Sequence, residues 1–147
     1  TASPAHPDVC RDPRGHAVSV TYMGCGRGIE AGASEQTTAW YPVDRLPNLA
    51  YDHASIIAYA RERLAAKLTY TNAAMGLLEK KFTLSHLQTA YEAVMGRELD
   101  KRNFRKKFLS LGLIHETPDM WQGGAHRPAK LYAFNNESLE VLSRSFD

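Results

Sequence analysis

A cluster of basic side chains between Arg97 and Lys107 has the residue types and spacing that suit binding to phosphate groups. It contains six basic and two acidic residues, which give it a local net charge of +4. The basic members are Arg97, Lys101, Arg102, Arg105, Lys106 and Lys107. Charge runs on helices are often solvated faces, so an exposed surface without a ligand is the alternative to a polyanion-binding surface.

The same stretch carries the signals of one short helix. Asp100 is expected to cap its N terminus, because the carboxylate can accept an unpaired backbone N–H of the first turn. Leu99 and Phe104 flank this cap at the positions where two apolar side chains fix the entry of the chain. Gly112 is expected to end the helix. The predicted buried face consists of Phe104, Phe108 and Leu111, and the predicted polar face carries Arg102 and Lys106 flanked by Asn103 and Arg105.

Another capped helix is predicted just before the basic one. Thr83 is the expected N-cap, Phe82 and Leu87 are the expected apolar pair around it, and Gly96 is the expected end. Because only a tight connection separates this helix from the basic helix, the pair resembles a helix-turn-helix.

A β-hairpin is predicted after the basic helix. LIHET and AKLYAF are strand candidates, and a polar turn that contains Pro118 and Gly123-Gly124 lies between them. His126, Arg127 and Lys130 add positive charge to this hairpin. A capped basic helix followed by such a hairpin is typical of a winged helix.

Three weaker helical patterns surround this core. Asp52 is expected to open an amphipathic helix of roughly four turns, and residues 72–78 predict a short helix. Residues 136–143 predict a further helix with Leu139 and Leu142 turned inward. The apolar stripe of the helix that follows Asp52 consists of Ile57, Ala60, Leu64 and Leu68.

The first 50 residues differ from the remainder in charge and pattern. They carry a net charge of −1, whereas residues 51–147 carry +3. Residues 17–23 and 37–43 are strand candidates, and the glycine-rich segment between them predicts a connection. Since two strands cannot bury a core by themselves, residues 1–50 are expected to be part of a larger domain.

Composition excludes several classes of protein. Two cysteines are too few and too loosely placed for a disulfide framework or a zinc site. No apolar run approaches the ~20 residues that span a membrane, and no secretory signal pattern is present. The expectation is a soluble protein of a reducing cytosol.

Several stretches of the sequence resemble Nudix-related transcriptional regulators of NAD metabolism, the NrtR type. They occur in the order of that family and cover most of the chain: RDPRGHAVSVTY, AWYPVDRLPNLAYDHASII, RLAAKLTYTNAAMGLL, FTLSHLQTAYEAVMGRELDKRNFRKKFL and GAHRPAKLYAF. The resemblance implies an α+β fold in which residues 51–147 form a winged helix-turn-helix domain. It also implies that residues 1–50 are the later strands of an incomplete Nudix (α/β/α) domain.

Members of this family sense ADP-ribose or a related nucleotide through the Nudix domain and bind operators as dimers through the winged helix. The resemblance therefore implies a bacterial, cytoplasmic repressor of NAD metabolism genes that binds double-stranded DNA as a homodimer and has no membrane partner. No cofactor is expected, and ADP-ribose would be an effector of the complete protein.

The sequence departs from the family at the Nudix box. Nudix hydrolysis needs the glutamate-rich pattern G-x5-E-x7-R-E-U-x-E-E-x-G-U, and no stretch of the sequence contains it. Without such carboxylates a hard divalent cation has no ligands, so no metal site and no enzymatic activity are expected.

Two alternatives stay open. The first is a Nudix ADP-ribose pyrophosphohydrolase whose catalytic half is missing here. The second is a winged helix used for protein contact, because a fold does not fix a function. Leu109, which lies toward the polar face of the basic helix, favours the second alternative.

Roles for individual side chains follow from how proteins read DNA. Base edges in the major groove are read by donors and acceptors near the front of a recognition helix, and the candidates are Arg102, Asn103 and Lys106. Phosphate contacts supply affinity and salt dependence. Candidates for these contacts are Thr83, Ser85, Lys101, Arg105, Lys107, Arg127 and Lys130, with His86 beside the first two. Trp121 at the tip of the hairpin either stacks on a sugar or packs on a partner subunit.

Overall fold

The computed structural model describes residues 18–26, 39–123, 128–142 and 146. They fall into two compact units, one within Thr1–Gly24 and Gly28–Arg61 and the other within Cys25–Arg27 and Glu62–Asp147. The elements in chain order are α1 (His53–Tyr70), a 3-10 helix (Ala73–Leu77), α2 (Leu84–Met95), α3 (Lys101–Ser110), β1 (Ile114–Trp121) and β2 (Ala129–Phe134). None of the helices in these described ranges is long and apolar enough to cross a membrane.

The two strands predicted in the first unit are wrong over the residues that the structure describes. Residues 18–23 and 39–43 form no β-ladder. Their apolar side chains are exposed: Val18 by 95 %, Tyr22 by 89 % and Trp40 by 68 %. Alternation defines the two faces of a strand, but a strand is stable only when neighbouring backbone pairs with it. The Nudix-like origin of residues 1–50 stays a prediction.

Helix α1 begins directly after Asp52, as predicted, and is longer than the expected four turns. Leu68 is its buried residue, while Ile57, Ala60 and Leu64 of the predicted stripe are half-buried. The short helix predicted over residues 72–78 is present as the 3-10 helix.

Helix α2 is bounded by the predicted residues. The side chain of Thr83 accepts a hydrogen bond from the backbone N–H of His86 at 3.1 Å. Gly96 ends the helix in the left-handed region with φ of 68°, and its N–H donates to the carbonyl of Glu92 at 2.8 Å. Leu87 and Tyr91 form the buried face by which the helix packs on the core.

Helix α3 has the predicted cap and terminus. Of its predicted buried face, Leu111 follows the helix and is half-buried against the core. Asp100 Oδ1 accepts from the N–H of Asn103 at 2.8 Å. Phe104 and Phe108 are buried, and Gly112 follows the helix with φ of 65°. Glycine suits this position because a Cβ is strained in the left-handed region.

Side chains of α2 hold the connection between α2 and α3. The Glu92 carboxylate accepts from the N–H of Leu99 at 2.9 Å and from Gln88 Nε2 at 2.9 Å. Gln88 Nε2 also donates to the carbonyl of Leu99 at 2.8 Å. The backbone hydrogen bond from Leu99, with a smaller contribution from Gln88, lowers the pKa of Glu92 below its usual value. The turn of the helix-turn-helix is therefore fixed by an ionised carboxylate.

Strands β1 and β2 form the predicted antiparallel hairpin, but the turn predicted at Pro118 is wrong. Strand β1 continues through Pro118 to Trp121. The register shifts between Glu116 and Met120, so residues 117–119 of β1 face Leu131 alone. Thr117 Oγ1 donates to the carbonyl of Leu131 at 3.0 Å. Proline lacks a backbone N–H and is tolerated in a strand at such an irregularity, which is why the strand continues through it.

The hairpin joins the helices at two points. Phe82 and Tyr132 exchange backbone hydrogen bonds of 3.0 and 2.8 Å, which adds the residue before the α2 cap to the edge of β2. Asn135 Nδ2 donates to the carbonyl of Gly112 at 2.7 Å, and Asn135 Oδ1 lies 2.8 Å from His115 Nδ1. These contacts fix where the hairpin leaves α3.

The helix predicted over residues 136–143 is absent from the described part of that range, residues 136–142. The buried side chain of Asn72 donates to the carbonyl of Ser138 at 2.9 Å and accepts from the N–H of Glu140 at 2.7 Å. Val141 pairs with Thr71 in an isolated β-bridge. Since this segment is extended along residues 71–72, its backbone groups are satisfied without helical hydrogen bonds.

Phe146 completes the core from the C-terminal side. Its ring is 7 % exposed and lies 5.0 Å from the ring of Tyr91, 5.4 Å from that of Phe104 and 6.0 Å from that of Phe108, between ring centroids. Its N–H donates to the carbonyl of Thr69 at 2.6 Å. One aromatic cluster thus connects the end of α1 to both helices of the helix-turn-helix.

Candidate nucleic-acid interface

The exposed face of α3 carries the three residues predicted to reach base edges. Arg102, Asn103 and Lys106 are all exposed. At 100° per residue Lys106 lies opposite the buried pair Phe104 and Phe108, and Arg102 and Asn103 lie on either side of it. The buried aromatic face therefore directs this polar face outward. Lys101, predicted to contact phosphate, is exposed at the first position of the same helix.

Arg105 and Ser85, both predicted to contact phosphates, are brought together. Arg105 Nη2 donates to Ser85 Oγ at 2.9 Å, which links the middle of α3 to the first turn of α2. Arg105 is half-buried, and its Nε is buried without a hydrogen-bond partner. The guanidinium keeps further N–H groups beyond this single bond, since it has five donors.

Lys107 and Lys130 are close to other side chains of the domain. Lys107 Nζ lies 5.4 Å from the centroid of the Phe146 ring, a cation–π geometry. Lys130 Nζ lies 2.8 Å from Glu116 Oε1 across the hairpin. The hydrogen bond and charge of Glu116 raise the pKa of Lys130 above its usual value. Both ammonium groups are thus held in place. Lys107 lies beside a neutral aromatic ring, whereas Lys130 lies beside a carboxylate that offsets its charge.

The remaining two phosphate candidates are Thr83 and Arg127. Thr83 is buried, and its hydroxyl oxygen is used as the helix cap, so its contribution to a surface is small. Arg127 lies outside the described residues, as does His126.

Two contacts that the sequence did not indicate join the hairpin to the start of α2. Lys81 Nζ forms an ion pair with Asp119 Oδ2 at 2.5 Å. The rings of His86 and Trp121 meet edge to face with centroids 5.0 Å apart. These partners are distant in sequence, and the pairing of Phe82 with Tyr132 helps to bring their elements together. Among the described residues no group of three or more His, Cys, Asp or Glu side chains is arranged to hold a metal ion.

The domain has two capped helices followed by a two-stranded wing, and the second helix has an exposed cationic face. This arrangement defines a winged-helix domain of the DNA-binding class. A comparison with protein-family models supports this class directly. Residues 74–134 match the family described as the NrtR DNA-binding winged helix domain. The predicted resemblance is thereby confirmed.

Individual relatives agree with the family match. The chain is 34 % identical over 132 residues to the "ADPR responsive transcriptional repressor NtrR" of Acinetobacter baylyi, an alignment that covers 84 % of this chain and 51 % of the relative. It therefore spans about half the length of that relative. A shorter similarity, 37 % over 49 residues, relates it to an "ADP-ribose pyrophosphatase" of Methanocaldococcus jannaschii and covers 32 % of this chain and 29 % of that protein.

Solved structures of Shewanella oneidensis NrtR also resemble this chain. One matches with a TM-score of 0.53 and 32 % identity over 67 % of this chain and 44 % of the other. A second, a complex with a 27mer DNA, matches with a TM-score of 0.56 and 29 % identity over 71 % of this chain and 48 % of the other.

Proposed function

We propose that this chain binds operator DNA through α3 and the hairpin and acts as the DNA-binding part of a transcriptional repressor. The observation that carries the proposal is the exposed face of Arg102, Asn103 and Lys106, which a capped helix-turn-helix presents opposite a buried aromatic face. The 27mer DNA bound by the structurally similar Shewanella oneidensis NrtR supports double-stranded DNA as the ligand.

The candidate side chains divide into two groups by role. Arg102 and Lys106 suit the acceptors of guanine, and Asn103 suits adenine, so these three read base edges in the major groove. The remaining candidates bind phosphates and set affinity without sequence preference. They are Ser85, Lys101, Arg105, Lys107, Arg127 and Lys130, whereas Thr83 contributes by capping α2.

Dimerisation and effector response belong to the complete protein. A single recognition helix reads only a few base pairs, and helix-turn-helix proteins gain specificity by binding two half-sites as dimers. The Acinetobacter baylyi relative is named as ADPR responsive, which supports ADP-ribose as the effector. In this proposal residues 1–50 are part of a Nudix-like sensing domain and residues 51–147 form the DNA-binding domain.

The proposed role does not include hydrolysis. The 147 residues lack the glutamate pattern of the Nudix box, although 49 of them resemble part of an ADP-ribose pyrophosphatase. A pyrophosphate-cleaving site needs several carboxylates on a divalent cation, and this sequence supplies no such cluster at the required spacing.

The first test is a fluorescence-anisotropy titration against duplexes that the protein itself enriches from a random pool, with scrambled duplexes as controls. We expect tighter binding to the enriched sequence. We also expect affinities that fall as salt rises, because basic side chains that bind phosphates release counterions from the DNA. Repeating the titration with ADP-ribose tests whether effector sensing is retained. Equal affinity for enriched and scrambled duplexes, or none for either, from folded protein would contradict the proposal.

A further inference from the structure

Leu109 is the large apolar side chain on the exposed face of α3, a helix that the structure describes in full. Its side chain is 45 % exposed, whereas Leu111 and Leu113, which follow the helix, pack against the core. The core therefore does not account for an apolar residue at this position.

The position of Leu109 is fixed relative to the proposed base-reading residues. It lies three residues after Lys106 and seven after Arg102, so all three occupy one side of the helix. At 1.5 Å per residue Leu109 is about 10 Å from Arg102 along the axis. That length is about three base-pair steps of 3.4 Å along a strand.

The surroundings of Leu109 favour DNA over an apolar protein surface. Its neighbours one turn earlier are Arg105 and Lys106, and one turn later is Gly112, so no apolar patch continues from it on this face. A protein groove would require several adjacent apolar anchors. A cationic surface with one apolar side chain instead complements a polyanion whose groove displays isolated methyl groups.

The major groove offers such a group in the C5-methyl of thymine, which distinguishes T·A from the other base pairs and is read by apolar contact. We propose that Leu109 contacts a thymine methyl in each half-site and so determines specificity at that base pair. The inference rests on the proposed DNA-binding function and adds a specificity-determining residue to it.

The test is a scan in which each thymine of an enriched duplex is replaced in turn by deoxyuridine, which lacks only the methyl. We expect one position in each half-site at which this replacement weakens binding by about three- to fourfold, as expected for one buried methyl-sized group. In Leu109→Ala that penalty disappears, while the penalties at other thymines stay unchanged. Leu109→Met, which keeps an apolar side chain of similar volume, retains it.

Leu139→Ala is the matched control, because it truncates another exposed leucine that lies outside α3. It should keep the full wild-type pattern of penalties. Identical penalties in wild type and Leu109→Ala at every thymine would overturn the inference, as would a change of oligomeric state in Leu109→Ala without any change in the scan. Failure of the pool to yield any enriched duplex would instead contradict the sequence-specific DNA binding on which the inference rests.

Discussion

At the scale of single residues, the structure separates charges that are free to face DNA from charges that have partners. Arg102 is exposed on α3, and Lys130 is paired with Glu116 on the hairpin. The sequence predicted DNA contacts for both residues, because it shows their charge and position. It does not show which side chains they contact in the folded domain. The pairing lowers the net charge at Lys130 and gives the two residues different expected effects.

We expect Arg102→Ala to reduce the preference for one base pair of the operator by about 1–3 kcal/mol, because a bidentate base contact is lost. Lys130→Ala should weaken operator and scrambled duplexes equally and reduce the salt slope, since it removes a phosphate contact and no base contact. Glu116→Gln is the control for the pairing and should strengthen binding to both duplexes. Equal losses on both duplexes for Arg102→Ala would contradict its role in base recognition.

Glu92 gives a pH-dependent prediction. The pKa of Glu92 is lower in the folded protein than its usual value of 4.5. Its contribution to stability is therefore fully present at pH values above 4.5 and is lost as the pH falls through the lower pKa of the folded state. Glu92→Gln should therefore lower Tm at pH 7, and the difference from wild type should close as pH decreases below 4.5. Thermal unfolding across this range is the measurement.

Glu98→Gln is the matched control for Glu92, because Glu98 is an exposed carboxylate in the same connection. It should leave Tm close to wild type at pH 7. A difference between Glu92→Gln and wild type that is constant over the whole pH range would show that the ionised carboxylate is not responsible.

At the scale of elements, short-range signals predicted α2 and α3 well. Thr83, Asp100, Gly96 and Gly112 act through backbone groups only a few residues away, so caps and ends can be read from local sequence. The hairpin was predicted less accurately because Pro118 is normally a turn signal. Its tolerance in β1 depends on the register of a partner strand, which local sequence does not contain.

The end of α3 provides a test of backbone conformation. Gly112 has φ of 65°, and nothing lies within 4 Å of the position that a Cβ would occupy. Gly112→Ala should therefore cost about 1–2 kcal/mol through left-handed strain alone. Gly24→Ala is the control, because the space at Gly24 is equally open and its φ is not positive. Equal unfolding free energies for the two variants in a urea titration would contradict this explanation.

At the scale of the whole molecule, the core depends on contacts between distant parts of the chain. Residues 136–143 were predicted as a helix because of Leu139 and Leu142, yet Asn72 and Thr71 hold the described part of this range, residues 136–142, extended. Phe146 was assigned no role in the sequence and is part of the core aromatic cluster. Such placements depend on tertiary partners far away in the chain, as Asn72 is from Ser138 at a separation of 66 residues, and no local pattern records them.

We expect Phe146→Ala to destabilise the domain by about 3 kcal/mol, because a buried aromatic side chain is removed and a cavity is left beside Tyr91, Phe104 and Phe108. Val141→Ala, which truncates a side chain that is 78 % exposed, should have little effect. Denaturant unfolding of both variants measures the difference. Surface substitutions usually change the free energy of unfolding by about ±0.5 kcal/mol or less. A loss within that range for Phe146→Ala would show that the aromatic cluster is stable without this side chain.

The irregularity of β1 has a consequence for how molecules meet in concentrated solution. In the described part of the chain β1 pairs with β2, which leaves the opposite edge of β1 open to another strand. A regular open edge is a template for intermolecular sheet growth, and proline, charge and bulges are the features that oppose it. Pro118, Asp119 and the register shift all lie within β1. These features of β1 thereby protect the wing from edge-to-edge aggregation.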